Sequence, residues 1–232
     1  MRASEVSAGE RSHALCELEI ELKSGSPHSM LELAHRWRNR YALWLDTVSK
    51  SARGQRLAQG ASFGHAVKAE PPSLDEDFDD GPQILCAVIK TCLAQILANA
   101  SEVAAGSKDA EHVHQLRVGI RRLRTALREM QALAPSLIVP AWESSLVAAF
   151  LALGRQRDRD HLLLEVQPGL EAVGAPPIAW ADAAPPPDPA DVVRGAEFQN
   201  TLLELVAATL PAETAGDDTE KPAAQPASAR KH

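Results

Sequence analysis

An arginine-rich segment, residues 112–130, carries the side chains whose types and spacing suggest chemistry. Its sequence is HVHQLRVGIRRLRTALREM, with five arginines and no carboxylate between His114 and Arg128. In a helix, which turns about 100° per residue, one histidine and four of these arginines fall within an arc of roughly 80°. These five residues, called the basic stripe below, are His114, Arg117, Arg121, Arg124 and Arg128. Arg122 points in another direction.

The dimensions of the basic stripe suit an extended anion. Successive helical turns rise about 5.4 Å, so the stripe is about 20 Å long. Each guanidinium offers a planar fork of donors that matches the oxygens of a phosphate. Like charges on successive turns repel each other, and a polyanion would relieve that repulsion. Residue types alone leave an alternative open, in which carboxylates on neighbouring helices neutralise the stripe.

Composition sets the context for this local positive charge. The chain has 232 residues, enough for one or two domains, and a net charge of -7, which argues against general nucleic-acid binding. Its hydrophobic residues make up 45% and its aromatic residues 4%, which favours closely packed helices. Three cysteines are too few for a disulfide framework or a zinc site and indicate a reducing compartment. There is no apolar leader and no run of 18 apolar residues, so we expect a soluble, cytoplasmic protein.

The N-terminal part of the chain has a different pattern. Residues 1–13 are polar, and we expect them to be disordered. Residues 14–23, ALCELEIELK, alternate between apolar and charged side chains, which predicts a strand that places Glu17, Glu19 and Glu21 on one face. A helix over 29–44 and a second short strand over 43–49 complete the expected strand-helix-strand unit. Because little else in the chain could form a sheet, we expect the first strand either to pair with a second copy or to stay poorly packed.

A helical region follows an acidic, proline-rich linker over residues 61–81, where we place the domain boundary. Helices are expected at about 82–105, 108–134, 140–165 and 191–210, and a proline- and alanine-rich connection over 174–191 precedes the last. Gly154 lies within the third helix, at a cost of about 1 kcal/mol relative to alanine. The sequence therefore predicts a mainly α fold, a four-helix bundle over residues 82–210, followed by a disordered tail over 211–232.

The arginine-rich helix resembles the signature of the CHAD family, the conserved histidine α-helical domain. The signature is H-x-x-R-x-x-x-R-R-x-R, met here by His114, Arg117, Arg121, Arg122 and Arg124. The downstream sequence LGRQRDRD, residues 153–160, is similar to the family's LGxxRDxD segment, although Arg159 stands where an apolar residue is usual. EFQNTLLELVAATL, from Glu197, resembles the helix that closes the first half of such a domain. No second H-x-x-R-x-x-x-R follows residue 130, so the resemblance implies half of a CHAD domain.

What this resemblance implies is non-catalytic binding of inorganic polyphosphate by basic residues between helices, with no cofactor. Carried over by position, the contacts would be His114, Arg117, Arg121, Arg124, Arg128, Arg155 and Arg157. Asp158 and Asp160 would orient arginines. A homodimer could supply a second basic helix. No membrane partner is expected, and nucleic acid is disfavoured because no aromatic residues interleave the stripe.

Residues 14–60 resemble the C-terminal end of a second family, the CYTH or triphosphate-tunnel family. ELEIELKSG is similar to one of its later barrel strands, and SKSARGQRLAQG to its last segment, whereas its leading ExExK strand is absent. This resemblance leaves a metal-dependent triphosphatase as an alternative, in which Glu17, Glu19 and Glu21 would hold Mg²⁺ or Mn²⁺. A non-functional remnant or a dimeric scaffold is a third alternative. Association with polyphosphate granules stays open as a location within the cytoplasm.

Overall fold

The structure, a computed structural model, describes residues 3–9, 11–72, 80–176 and 185–211, without the side chains at positions 3, 4, 156, 157, 160, 161 and 165. Two strands form an antiparallel sheet, β1 (Ala3–Ala8) and β2 (Arg11–Cys16). The helices are α1 (Pro27–Tyr41), α2 (Lys50–Gln59), α3 (Gly81–Ala104), α4 (Ala110–Glu129), α5 (Pro140–His161), α6 (Gln167–Ala172), α7 (Pro189–Arg194) and α8 (Ala196–Ala208). A π-helical turn, Leu162–Val166, joins α5 to α6. The mainly helical fold predicted from the sequence is confirmed.

Four helices enclose the hydrophobic core. Helix α3 packs on α4, α4 on α5, α5 on α8, and α8 on α3, which closes the bundle. Each contributes fully buried side chains: Ile89 and Ile96, Leu116 and Ile120, Leu146 and Leu153, and Leu202 and Leu205. At Gly119 a Cβ would lie 2.8 Å from Ile96 Cγ1, so this glycine allows α3 and α4 to approach closely. The bundle therefore fixes which side of α4 remains at the surface.

The helix starts of the bundle follow local sequence signals. The carboxylate of Asp80 accepts a hydrogen bond from Gln83 N at 2.8 Å, and that of Asp109 accepts one from Glu111 N at 2.9 Å. Prolines occupy the first turns of α3 and α5, where the missing N–H costs nothing. The single helix expected over 191–210 is instead α7 and α8, because the backbone at Gly195 is extended (ψ 139°).

Helix α3 also has the length and composition of a membrane-spanning helix, alone among the described helices. Half of its apolar stretch is buried, and it packs against α4 and α8. That burial is typical of the central helix of a bundle.

The N-terminal region differs from the expected strand-helix-strand unit. Residues 3–8 and 11–13, expected to be disordered, lie in a hairpin in which Ala3 pairs with Cys16 and Ala8 with Arg11. Only residues 14–16 of the alternating segment pair in this hairpin, within the same chain. Residues 17–22 lie outside any strand, so the strand predicted over 14–23 is wrong for most of its length. The second strand expected over 43–49 is also wrong. Its backbone groups bond to side chains of the bundle instead: Leu45 N donates to Gln199 Oε1 at 2.8 Å, and Thr47 N to Ser101 Oγ at 2.9 Å.

Residues 43–70, here named the N-terminal strap, run along the bundle and include α2. Asn99 on α3 is fully buried, and its amide forms a two-way pair with the strap: Nδ2 donates to Val67 O at 2.8 Å, and Oδ1 accepts from Val67 N at 3.1 Å. Arg56 of the strap lies 2.7 Å from the nearly buried carboxylate of Glu102. Buried polar groups need such partners, and here the strap supplies them to the buried polar side chains of the bundle.

Candidate anion-binding site

The basic stripe lies on α4 next to the first half of α5. The apolar side of α4, which includes Leu116, Leu123 and Leu127, is buried in the core, and this orients the stripe toward α5 and the solvent. The five stripe residues do not share one environment. Two arginines rest against α5, and two others are exposed.

Arg117 lies flat against α5. Its Cζ is 4.4 Å from the centre of the Phe150 ring, and its Nη1 donates to the Phe150 carbonyl oxygen at 3.3 Å. A Cβ at Gly154 would overlap this guanidinium, lying about 3.0 Å from its Cζ. Glycine at 154 therefore gives Arg117 its place, which explains a residue that weakens the middle of a helix.

Arg124 has an acidic partner on α5. Its Nε and Nη2 both donate to Glu143 Oε1, at 3.1 and 2.8 Å, and its Cζ lies 5.9 Å from the Phe150 ring. At this position the alternative left open by the sequence, a carboxylate from a neighbouring helix, is correct. The segment itself contains no acid between His114 and Arg128, but the first turn of α5 brings one from another helix.

Arg121 and Arg128 form the exposed part of the stripe. Both side chains are exposed, and in the portion of the chain that the structure covers neither takes part in an ion pair or a side-chain hydrogen bond. They are seven residues apart, two turns or about 10.5 Å along the helix. His114, at the start of the stripe, is partly buried. The two exposed guanidinium groups are the donors most accessible to a ligand.

Arg122, which the helical arc places off the stripe, bonds to the N-terminal strap. Its Nη1 donates to Gln95 Oε1 at 3.1 Å, and its Nη2 donates to the carbonyl oxygen of Glu70 at 3.0 Å. Although the family signature includes this arginine, the structure gives it a bracing role between α3, α4 and the strap.

His112, to which the sequence analysis assigned no role, is almost completely buried. Its Nε2 lies 3.1 Å from the carbonyl oxygen of Gly64, which can only accept, so Nε2 carries the proton. Its Nδ1 then accepts from Ser107 Oγ at 2.8 Å. Because both ring nitrogens are occupied inside the protein, His112 holds the strap on α4. Its position on the apolar side of the helix was the signal for burial.

The LGRQRDRD segment lies on the second half of α5. Arg155, Asp158 and Arg159 are exposed there, and Arg155 directly follows Gly154, the residue under Arg117. The side chains of Arg157 and Asp160 lie outside the described residues. Arg155 is thus on the same helix as the Arg117 contact.

Two of the three glutamates considered for a metal site contact a lysine instead. Lys50 Nζ lies 2.6 Å from Glu17 Oε1 and 2.9 Å from Glu19 Oε2, and the hydrogen bonds that its ammonium donates to these carboxylates raise the pKa of Lys50. Glu21 is exposed. In the ranges that the structure covers, no cluster of three or more His, Cys, Asp or Glu side chains is arranged to hold a metal ion. Two of the three carboxylates therefore have an ammonium partner within the chain.

The fold and the site define a helical-bundle domain whose second bundle helix carries a partly exposed row of cations. The family model described as the CHAD domain matches residues 87–230, more than half of the chain. The chain belongs to the CHAD family. The match covers the bundle from the first half of α3 through α8. The resemblance of the N-terminal part to the CYTH family and the interpretation as half a domain stay predictions.

Proposed function

We propose that the helical domain binds inorganic polyphosphate without transforming it, through the exposed side of α4. The observation that carries this proposal is the pair Arg121 and Arg128. Both are exposed, they lie on one face two turns apart, and neither has an ion-pair partner among the described residues. Two guanidinium groups in this arrangement are suited to two separate phosphates of one chain.

The distance between these arginines favours a chain over a small anion. A ligand that contacts both must extend about 10.5 Å along the helix. Once one phosphate is bound, the next contact forms within the same ligand and so at a high effective concentration. Orthophosphate, with a single phosphorus, lacks that advantage.

The neighbouring arginines support the proposal because their side chains are already positioned. Arg117 is held by the ring and carbonyl oxygen of Phe150, and the same ring also lies against Arg124. An ordered side chain loses less conformational freedom when a ligand arrives. We therefore expect a bound polyphosphate to lie alongside Arg117 and Arg124.

Phe150 also favours polyphosphate over single-stranded nucleic acid. Proteins that bind single strands usually offer aromatic faces on which bases stack. The Phe150 ring lies beneath the guanidinium groups of Arg117 and Arg124, at 4.4 and 5.9 Å from its centre. Within the described part of this face, the stripe thus presents phosphate donors and no free stacking platform.

A titration of the full chain with polyphosphate of defined length, at low and at moderate ionic strength, tests the proposal. We expect Arg121→Gln with Arg128→Gln to weaken binding and to lower the dependence of log affinity on log salt by about one for each lost contact. The matched control is Arg36→Gln with Arg40→Gln, which removes two positive charges from exposed positions of α1. Equal losses for the two double variants would mean a general charge effect and contradict the proposal.

The non-catalytic part of the proposal has its own assay. Incubation of the chain with tripolyphosphate and Mg²⁺ should release no orthophosphate. Release that disappears in Glu19→Ala would instead favour the metal-dependent triphosphatase.

A further inference from the structure

The contact between Arg124 and Glu143 is an incomplete ion pair. Nε and Nη2 of Arg124 both donate to Glu143 Oε1. Glu143 Oε2 is shielded from solvent and has no hydrogen-bond partner among the described residues. A full carboxylate–guanidinium pair uses two parallel hydrogen bonds, one to each oxygen. A buried acceptor without a partner lowers the net value of the contact. This pair is therefore one that a better anion could replace.

Arg124 also lies on the path of a chain bound to the exposed arginines. It is three residues after Arg121 and four before Arg128, and residues at these spacings are neighbours on a helix surface. A polyanion that contacts both exposed arginines passes the guanidinium that Glu143 occupies.

We infer that Glu143 is a built-in competitor of polyphosphate for Arg124. This inference rests on the proposed function. Phosphate oxygens would take the positions of Glu143 Oε1 at Nε and Nη2 of Arg124, and the released carboxylate would turn to solvent. No covalent bond changes; one anion replaces another on the same donors. Glu143 thus lowers the affinity of the site and keeps Arg124 ordered while no ligand is bound.

Two roles of Glu143 predict opposite results: it competes with polyphosphate for Arg124, or it positions Arg124 for polyphosphate. If Glu143 competes, Glu143→Gln strengthens binding, because a neutral amide holds Arg124 less firmly than a carboxylate does. The expected gain is about 1.5- to 5-fold, the fold-change that corresponds to the strength of exposed ion pairs. If Glu143 mainly positions Arg124 for the ligand, the same change weakens binding.

The test measures the affinity of polyphosphate of defined length for six full-length proteins: wild type, Glu143→Gln, Glu143→Asp, Glu197→Gln, Arg124→Gln, and Glu143→Gln with Arg124→Gln. The double variant is compared with Arg124→Gln alone. Glu197 is the matched control, since it too is an acid in the first turn of a helix. Competition predicts a gain for Glu143→Gln, none for Glu197→Gln, and none when Arg124 is already replaced. Glu143→Asp, which keeps the charge but shortens its reach, should show a smaller gain.

The outcomes distinguish this inference from the proposed function. A wild-type protein that binds no polyphosphate at low salt overturns the proposed function, and the competition with it. Wild-type binding with an unchanged or weaker Glu143→Gln variant overturns only the competition. Equal gains for Glu143→Gln and Glu197→Gln would also overturn it, because the effect would then be one of total charge.

Discussion

The guanidinium of Arg117 occupies the space on α5 that a side chain at position 154 would fill. In Gly154→Ala the added Cβ overlaps the Arg117 guanidinium, which is the flexible end of a long side chain and can move away. We expect stability to change little, because a helix-propensity gain of about 1 kcal/mol offsets the lost contacts with Phe150. We expect polyphosphate affinity to fall, because Arg117 leaves its ordered position. Thermal unfolding and a binding titration measure the two effects.

A second glycine provides the control for this substitution. A Cβ at Gly169, on α6, meets no atom within 4 Å. Gly169→Ala should therefore gain helix propensity and keep wild-type affinity. If Gly154→Ala also binds like the wild type, the position of Arg117 has no part in the site.

At the residue level, the sequence predicted the direction of the stripe but not its partners. The 100° step of the helix was enough to place Arg121 and Arg128 together on an exposed face. The pairing of Arg124 with Glu143 depends on how α5 packs beside α4, which no pattern within residues 112–130 contains. The same packing gives Gly154 its purpose.

Among the short elements, α7 is held by a charge at its N-cap, the residue before its first turn, and that charge makes its stability depend on pH. The hydrogen bond from Ala190 N, and then the contact with Lys108, keep the pKa of the Asp188 carboxyl below its usual range. A carboxyl whose pKa is lower in the folded state stabilises the fold above its ordinary pKa. That contribution is lost as the pH falls through the folded value.

Asp188→Asn isolates this effect, since asparagine is also a good helix cap and only the charge is lost. We expect the variant to be less stable than the wild type at neutral pH, and the difference to shrink at acid pH as the wild-type carboxyl becomes protonated. Denaturant unfolding across that range measures it. Asp191→Asn, which removes a charge from the first turn of the same helix, is the control; a similar pH-dependent difference there would refute the assignment to Asp188.

Elements with their own signals were predicted well, and elements that depend on distant partners were not. Asp80 with Pro82 and the proline at 140 located the starts of α3 and α5 to within about two residues. Residues 43–49 have an apolar pattern compatible with a strand, yet Gln199 and Ser101 bind their backbone from two helices. Gln199 lies about 150 residues and Ser101 about 50 residues further along the chain, beyond any local pattern.

For the whole molecule, the N-terminal strap raises the question of where the folding unit begins. The sequence places a boundary within residues 61–81, and this stays a prediction. The contacts across it are extensive: Leu45, Thr47, Val67 and Glu70 each use a backbone group to bond with the bundle. Leu45 also packs against the core. These contacts suggest that the strap belongs to the folding unit of the bundle.

Removal of residues 1–72 tests this directly. Each lost hydrogen bond contributes about 0.5–1.5 kcal/mol net, and a domain of this size is stable by only about 5–15 kcal/mol. We therefore expect the shortened chain to unfold at much lower denaturant, or to lose cooperative unfolding. A chain lacking only residues 1–16 keeps the strap and loses a hairpin that packs on α2, so its loss should be smaller. If the chain without residues 1–72 unfolds at the wild-type midpoint, the bundle is independent and the predicted boundary is correct.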